Sequence, residues 1–273
     1  MDRRGRYLRR TRPRSTAGHT RVIVAVGDNT EARMNFDGTF YYMIFAPHLR
    51  AFYCPVPKAS CSTWKTVLRS SLQLPEAHRQ LDLHNRWTNG LTYAWSMERY
   101  DMMEALFGPK AFYRFTVCRN PYARLVSAYR DKIVPEDTPI KEAVGRLKAL
   151  YCAVNDLRPS EAMPFTFEMF VQAIGHDRPE MMDRHWQPQT MVTCVDLLRY
   201  DTIARLEDRA TAFPAICERL GVDTALVGHL NQSHGSKDLR PLYTPAMIDI
   251  VRRVYSADFD RFGYDRDDIP AAA

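Results

Sequence analysis

Two stretches of this chain run from an apolar, aromatic segment through a short turn into an amphipathic helix, and they constrain the fold more than any other feature. The first is AFYCPVPKASCSTWKTVL, residues 51–68, and the second is FTVCRNPYARLVSAYRDK, residues 115–132. In each, the hydrophobic spacing changes from the period of a strand to that of a helix. Around them the same alternation continues. Residues 40–45 and 51–56 read as two strands joined by a turn at Pro47-His48, and residues 112–118 and 195–200 read as further strands. Helices are expected over 62–72, 97–107, 122–132, 139–151, 166–174, 207–220 and 245–256, the last capped by Thr244 with Pro245 in its first turn. Strands alternating with helices of this length predict an α/β fold with a mainly parallel central sheet flanked by helices. No repeat or linker divides the chain, so one domain over residues 36–265 is expected behind a disordered basic arm at residues 1–20.

The charge distribution excludes one broad class. The chain has 38 Lys and Arg against 32 Asp and Glu, for a formal net charge of +6. Residues 1–21 hold eight arginines and a single acid, Asp2, which leaves 30 basic against 31 acidic residues in the body. A nucleic-acid-binding fold carries its basic residues as a face or stripe of the folded body, and a nearly neutral body argues against it. No window approaches the run of apolar residues that a membrane-spanning helix needs, and the N-terminus lacks the apolar core of a secretory signal. An Arg-rich leader also fits a transit peptide, but a disordered arm is the plainer reading. The six cysteines (54, 61, 118, 152, 194 and 217) show no CxxC or zinc-type spacing and form no disulfide framework, so reduced thiols and no metal site are expected.

The first junction has the chemistry of an anion cradle. Free backbone N–H groups and the positive end of a helix dipole would face the ligand from residues 59–64. Lys58 adds a point charge, Ser62 and Thr63 add short hydroxyl donors, and the small side chains of Ala59, Ser60 and Ser62 allow close approach. It is no Walker A loop, because GxxxxGK[ST] is absent and the lysine precedes the turn; an ordinary helix start with a solvated lysine is the alternative. In the second junction Arg119 sits just past a strand's carboxyl end, where open α/β sheets bind ligands, and Ser127 follows two helical turns later. Arg124 and Arg130 are read as surface arginines paired with Asp131 and other acids.

Together the segments resemble the carbohydrate sulfotransferases, in particular the branch with the chondroitin 4-sulfotransferases and the HNK-1 sulfotransferase. PVPKASCSTWK is similar to their 5′-phosphosulfate-binding loop and RNPYARLVSAYRDK to their 3′-phosphate-binding segment. HWQPQ (185–189), RYDTIARLE (199–207) and VYSADFDRFGYD (254–265) extend the resemblance to about residues 38–265. It implies a P-loop-like, three-layer α/β fold and transfer of a sulfuryl group from 3′-phosphoadenosine 5′-phosphosulfate (PAPS) to a hydroxyl of a glycan acceptor, with no metal. Lys58, Ala59, Ser60, Cys61, Ser62, Thr63 and Trp64 would hold the 5′-phosphosulfate; Arg119 and Ser127 would hold the 3′-phosphate. Two departures stand out: no N-terminal membrane anchor is seen, and only Cys194 stands where the relatives carry a cysteine pair. Both lead to the expectation of a cytoplasmic, bacterial enzyme, and both leave the acceptor sugar open.

The acceptor hydroxyl needs a general base, and a histidine fits by its ordinary pKa. His84, in LDLHNRW, is the first candidate, because related enzymes carry a histidine after the loop helix; His185, in HWQPQ, is the second, ahead of His78 and the carboxylates. Asp201 is expected to be a turn or cap residue and Glu207 a helix-start residue. Trp64, Trp87, Trp95 and Trp186 are read as core and cleft wall, with Trp87 or Trp186 able to stack on a sugar. The loop at residues 234–237 (HGSK) is a candidate closure over the nucleotide or a plain surface loop. The competing functions are a P-loop kinase or NTPase, which lacks its motif here, and a non-catalytic glycan- or nucleotide-binding protein on the same scaffold.

Overall fold

A computed structural model describes residues 22–23, 33–34, 40–72, 81–85, 87–108, 111–158, 163–228 and 238–270. The chain divides into two units, residues 1–39 and 40–273. In the first, β1 (Val22–Ile23) pairs antiparallel with β2 (Arg33–Met34). The arm expected over residues 1–20, His78 and the loop at 234–237 lie outside the described residues.

In the second unit, five strands form one sheet in the order β5-β3-β4-β6-β7. They are β3 (Ile44–Ala46), β4 (Ala51–Cys54), β5 (Thr92–Tyr93), β6 (Tyr113–Cys118) and β7 (Thr202–Arg205). β4, β6 and β7 run parallel, but β3 is antiparallel to both β4 and β5, so the sheet is mixed rather than mainly parallel. Connection length explains the difference. Between β3 and β4 lie only a 3₁₀ turn (Pro47–Leu49) and Arg50 at φ 47°, which reverses the chain. The longer connections from β4 to β6 and from β6 to β7 carry helices and return the chain parallel.

β4 leads into α1 (Cys61–Ser70), and α2 (Arg99–Phe107) precedes β6. Then follow α3 (Pro121–Ala128), α4 (Lys141–Val154), α5 (Phe167–His176) and α6 (Gln189–Thr193). After β7 come α7 (Arg209–Leu220), α8 (Ala225–Gly228), α9 (Pro245–Val254) and α10 (Ser256–Phe262). Alternation along the strands aims Ile44, Ala46, Tyr53, Phe115, Val117 and Ala204 at one face, where Trp64 and Val67 of α1 and Phe213 and Ile216 of α7 bury them. A second core joins α3, α4, α5, α9 and α10 around Tyr122, Leu147, Phe170, Trp186, Val251 and Phe259. Each such side chain contributes roughly 1.5–3 kcal/mol on full burial.

Three expected elements differ. Residues 195–200 form turns rather than a strand: Val195 and Leu198 are buried, but Cys194 ends α6 at φ 53° and its carbonyl takes the N–H groups of Leu197 and Leu198. Their apolar character serves packing, and the strand begins only at Thr202. The helix expected through residue 132 is α-helical to Ala128 and then widens into a π-turn over Tyr129–Ile133, closed by Val134 N–H to Tyr129 O at 3.1 Å. The last expected helix breaks at Tyr255 into α9 and α10. Among the described residues no helix is long and apolar enough to cross a membrane. All six cysteines are free thiols.

Candidate functional site

The loop between β4 and α1 departs from extended backbone twice, with Lys58 at φ 69° and Ser60 at φ 57°. Left-handed backbone at two non-glycine residues so close together is strained by about 1–3 kcal/mol each and is held by its surroundings. Ala59 is fully buried between them, so a small residue is required there. Ser60 caps α1 without a side-chain hydrogen bond, which leaves the first-turn N–H groups without a side-chain cap; beside them Ser62 is exposed and Thr63 is buried.

Arg124, expected on the surface among acids, is instead buried, and its guanidinium binds three main-chain carbonyls. Nε donates to Pro57 O at 3.0 Å, Nη1 to Gln187 O at 2.7 Å and Nη2 to Arg184 O at 2.7 Å. One side chain of α3 thus ties the lysine loop to the HWQPQ turn. Arg130, by contrast, is exposed.

Asn120 caps α3 by accepting from the N–H groups of Tyr122 and Ala123, with Pro121 as the first helical residue. Just before it, Arg119 is clamped by Gln189: its N–H donates to Oε1 at 2.9 Å and its carbonyl accepts from Nε2 at 2.8 Å. Asp258, fully buried in α10, accepts the N–H groups of Gln189 and Thr190, both at 2.8 Å. Burial pushes the Asp258 carboxyl up, and those donors oppose the rise. The Arg119 guanidinium reaches back to Lys58 O at 3.1 Å, and its Nε is buried without a hydrogen-bond partner.

The π-turn carries Asp131 to Lys58, with Nζ to Oδ2 at 2.8 Å, and Lys132 Nζ lies 3.2 Å from the same oxygen. Burial alone would raise the Asp131 carboxyl, but the hydrogen bonds and charges of Lys58 and Lys132 outweigh it and hold the group below its ordinary pKa.

These pieces surround one cleft of about 1020 Å³. Lys58, Ser60, Cys61, Ser62, Thr63, Arg119, Ser127, His84 and His185 all line it. Ala59 and Trp64 do not: the Trp64 indole is buried against Phe115 and Phe213, its Nε1 has no hydrogen-bond partner among the described residues, and its backbone N–H donates to Ser60 O at 3.3 Å. Trp186 is likewise fully buried and cannot stack on a ligand, and Trp87, 68% exposed, lies outside the cleft. A second cavity, of about 660 Å³ beside β7 and α7, contains none of the expected site residues.

The two histidines have different surroundings. His84 is exposed, with Nε2 3.3 Å from Ser62 Oγ, and partial burial and then the charge of Lys65 hold its ring below the ordinary value. His185 lies 2.6 Å from Asp183, Nδ1 to Oδ1. Burial would raise Asp183, but the hydrogen bonds from the His185 ring and N–H prevail and lower it.

Sequence reasoning missed Asp183, whose partner His185 is only two residues away, and Gln189 and Asp258, whose contacts join distant segments; Asp131, expected to pair with surface arginines, pairs with Lys58 instead. Asp201 is no simple turn residue, since it pairs with Arg114 through both carboxylate oxygens at 3.0 and 3.1 Å. Glu207 is more than a helix start, since it accepts from Asn120 N–H and Tyr264 OH, each at 2.8 Å.

Among known proteins, the model of the Sulfotransferase family matches residues 41–265. Carbohydrate sulfotransferase 8 of Homo sapiens is 29% identical over 163 residues, which is 58% of this chain and 38% of the relative. Carbohydrate sulfotransferase 12 of Xenopus laevis is 26% identical over 248 residues, 79% of this chain and 58% of the relative. Carbohydrate sulfotransferase 10 of Rattus norvegicus is 24% identical over 243 residues, 80% of this chain and 65% of the relative. The chain therefore spans between about two fifths and two thirds of the length of these relatives. No solved structure gives a significant match.

Proposed function

The chain belongs to the sulfotransferase family, and from that premise we propose that it moves a sulfuryl group from PAPS to a hydroxyl of a carbohydrate acceptor. The observation that carries this reading is the convergence of Lys58, Ser62, Thr63, Arg119, Ser127 and two histidines on one cleft from segments far apart in sequence. In this reading residues 36–265 act as a single domain with a P-loop-like arrangement at the β4–α1 junction.

The 5′-phosphosulfate takes the N–H groups at the start of α1, the Ser62 and Thr63 hydroxyls and the Lys58 ammonium. Arg119 and Ser127 take the 3′-phosphate, the feature that separates this donor from ATP. The buried Arg119 Nε is a donor in reserve for such a group. Transfer is in line. The acceptor oxygen bonds to sulfur as the bond from sulfur to the bridging oxygen breaks, and the electron pair leaves on the 5′-phosphate of 3′-phosphoadenosine 5′-phosphate. Charge growing on that oxygen is met by Lys58, which acts more strongly on the transition state than on the ground state. A cleft histidine, His84 or His185, takes the acceptor's proton.

Lys58 is engaged by Asp131. Phosphosulfate oxygens would compete with that carboxylate for the ammonium, and the ion pair holds the lysine over the loop.

The test is transfer of radiolabelled sulfate to glycan extracts, with mass readout of the product. Sulfated product is expected with PAPS and none with ATP as donor. A protein that binds the 3′,5′-bisphosphate of adenosine but transfers nothing would instead be a binding protein on this scaffold.

A further inference from the structure

Resting on the sulfuryl-transfer reading, we infer that the base is His185, held by Asp183 as its positioning residue, and that His84 serves the donor side. Asp183 Oδ1 binds the ring Nδ1 of His185 at 2.6 Å and also its backbone N–H at 2.9 Å. One oxygen therefore sets both the main chain and the ring. With Nδ1–H donating to the carboxylate, Nε2 is left as the ring's proton acceptor. A carboxylate in this position selects the tautomer, holds the ring's orientation and stabilises the imidazolium once it forms.

The turn that carries the pair is itself fixed. Asp183 O accepts the N–H groups of Trp186 at 3.0 Å and Gln187 at 2.8 Å, and the Trp186 indole is fully buried. Arg124 grips the carbonyls of residues 184 and 187 together with that of Pro57, next to Lys58. The group that would meet the leaving oxygen and the group that would take the acceptor's proton are thus braced to one buried guanidinium, on one cleft. Such shared bracing suits an in-line reaction, which requires the attacking and leaving oxygens to sit on opposite sides of sulfur.

His84 lacks this construction. Asp82 accepts its backbone N–H at 2.9 Å, and the ring nitrogen Nε2 lies against Ser62 on the first turn of α1. That places His84 beside the hydroxyl expected to hold phosphosulfate.

In the reaction, the acceptor hydroxyl gives its proton to His185 Nε2 as its oxygen bonds to sulfur. The product is a sulfate ester, the bisphosphate leaves with the electron pair, and the imidazolium formed is paired with the Asp183 carboxylate. Asp183 binds the ring directly, Arg184 is its neighbour on the same turn, and Arg124 holds that turn's carbonyls from beneath.

The deciding experiment combines steady-state kinetics of sulfuryl transfer with ring NMR of the full chain. Asp183→Asn keeps an oxygen for the backbone N–H, so the turn survives while the negative charge is lost. His185→Ala should lower turnover by about 10²–10⁴-fold with bisphosphate binding unchanged. Asp183→Asn should lower turnover by about tenfold or more, because the imidazolium that forms loses the carboxylate that stabilises it. His84→Ala should raise the KM for donor more than it lowers kcat. Retention of turnover within about threefold in His185→Ala or in Asp183→Asn would overturn the assignment and leave Asp183 a turn cap. Nitrogen-15 shifts should show His185 with Nδ1 protonated and Nε2 free at neutral pH; the opposite tautomer would also overturn it. If the wild type transferred no sulfuryl group while the expected tautomer was present, the transferase reading would fall, taking the base assignment with it and leaving the Asp183–His185 pair as a structural contact.

Discussion

The two sides of the cleft are built on different foundations. The side with Lys58, Ser62, Arg119 and Ser127 grows from the ends of the parallel strands β4 and β6, and its backbone continues a hydrogen-bonded sheet. The side with His84 and His185 stands on turns, and its geometry comes from side chains that reach the main chain: Asp82, Asp183 and Arg124. A sheet fixes positions through many repeated bonds, so one substitution near it disturbs one contact. A turn held by a single carboxylate or guanidinium depends on that group. The first side should therefore respond to mutation locally, through binding or turnover, and the second through loss of alignment.

Lys58→Ala gives the sharpest test of the sheet-borne side. Turnover is expected to fall about 10²–10³-fold, with a smaller loss of donor binding, as for removal of a donor aimed at a leaving oxygen. Lys58→Arg should restore little, because a planar fork does not replace a compact ammonium in a tight loop. Steady-state kinetics with saturating acceptor and varied donor measure both. Turnover within about threefold of wild type would reduce the loop to a binding role.

Arg124→Met probes the joint between the two sides. It keeps much of the volume but leaves three partly buried carbonyls without this partner, each worth up to about 1–3 kcal/mol, so a loss of about 2 kcal/mol or more in denaturant unfolding is expected. A change below about 1 kcal/mol would show that the two sides do not share a brace.

Arg119→Ala returns to the sheet-borne side with a smaller effect. Wild type should be stabilised thermally far more by the 3′,5′-bisphosphate of adenosine than by AMP. The variant should lose most of that difference, corresponding to a charged hydrogen bond of about 1.5–3 kcal/mol. Equal stabilisation of wild type by both nucleotides would remove the 3′-phosphate assignment.

The smallest effect expected is on pH dependence. Asp131 and Asp183 both titrate below their ordinary values in the folded protein. The stability they contribute is therefore present above the unfolded carboxylate pKa of about 4 and is lost as pH falls through their lower folded values. Asp131→Asn should flatten this acid-side decline by no more than about 1 kcal/mol, since the pair with Lys58 is partly exposed. An unchanged acid-side slope in chemical denaturation would show that the ion pair has no net worth.

The same contrast explains what could be read in advance. Both junctions, from Ala51 and from Phe115, follow from local rules: strand-period residues, then small or capping residues, then helix-period residues. Lys58, Arg119 and Ser127 take their places from those rules, because a residue's offset from a strand end fixes where it emerges. The short turn at Pro47-His48 already implies a reversal, but sequence period alone does not show that β3 also pairs with β5 and makes the sheet mixed, or that residues 195–200 fill a core without pairing, since buried apolar runs look alike in strands and in packed turns. Arg124 shows the limit most clearly. Within its own helix it looks like any solvated arginine, and only the fold places three carbonyls around its guanidinium.

The sequence by itself determined the strand–turn–helix units, the phosphate-type chemistry of the β4–α1 and β6–α3 loops and the family, because these depend on neighbours within about twenty residues of chain. Only the tertiary structure decided which acids meet which bases. Asp131 lies against Lys58 from 73 positions away, and Gln189 clamps Arg119 from 70. His185 is set apart from His84 by a contact just two residues long, Asp183 to His185. Even that short contact became meaningful only once the fold had buried Trp186 and set the turn on Arg124, because a hydrogen bond between neighbours orients a ring only when the surrounding chain is held still.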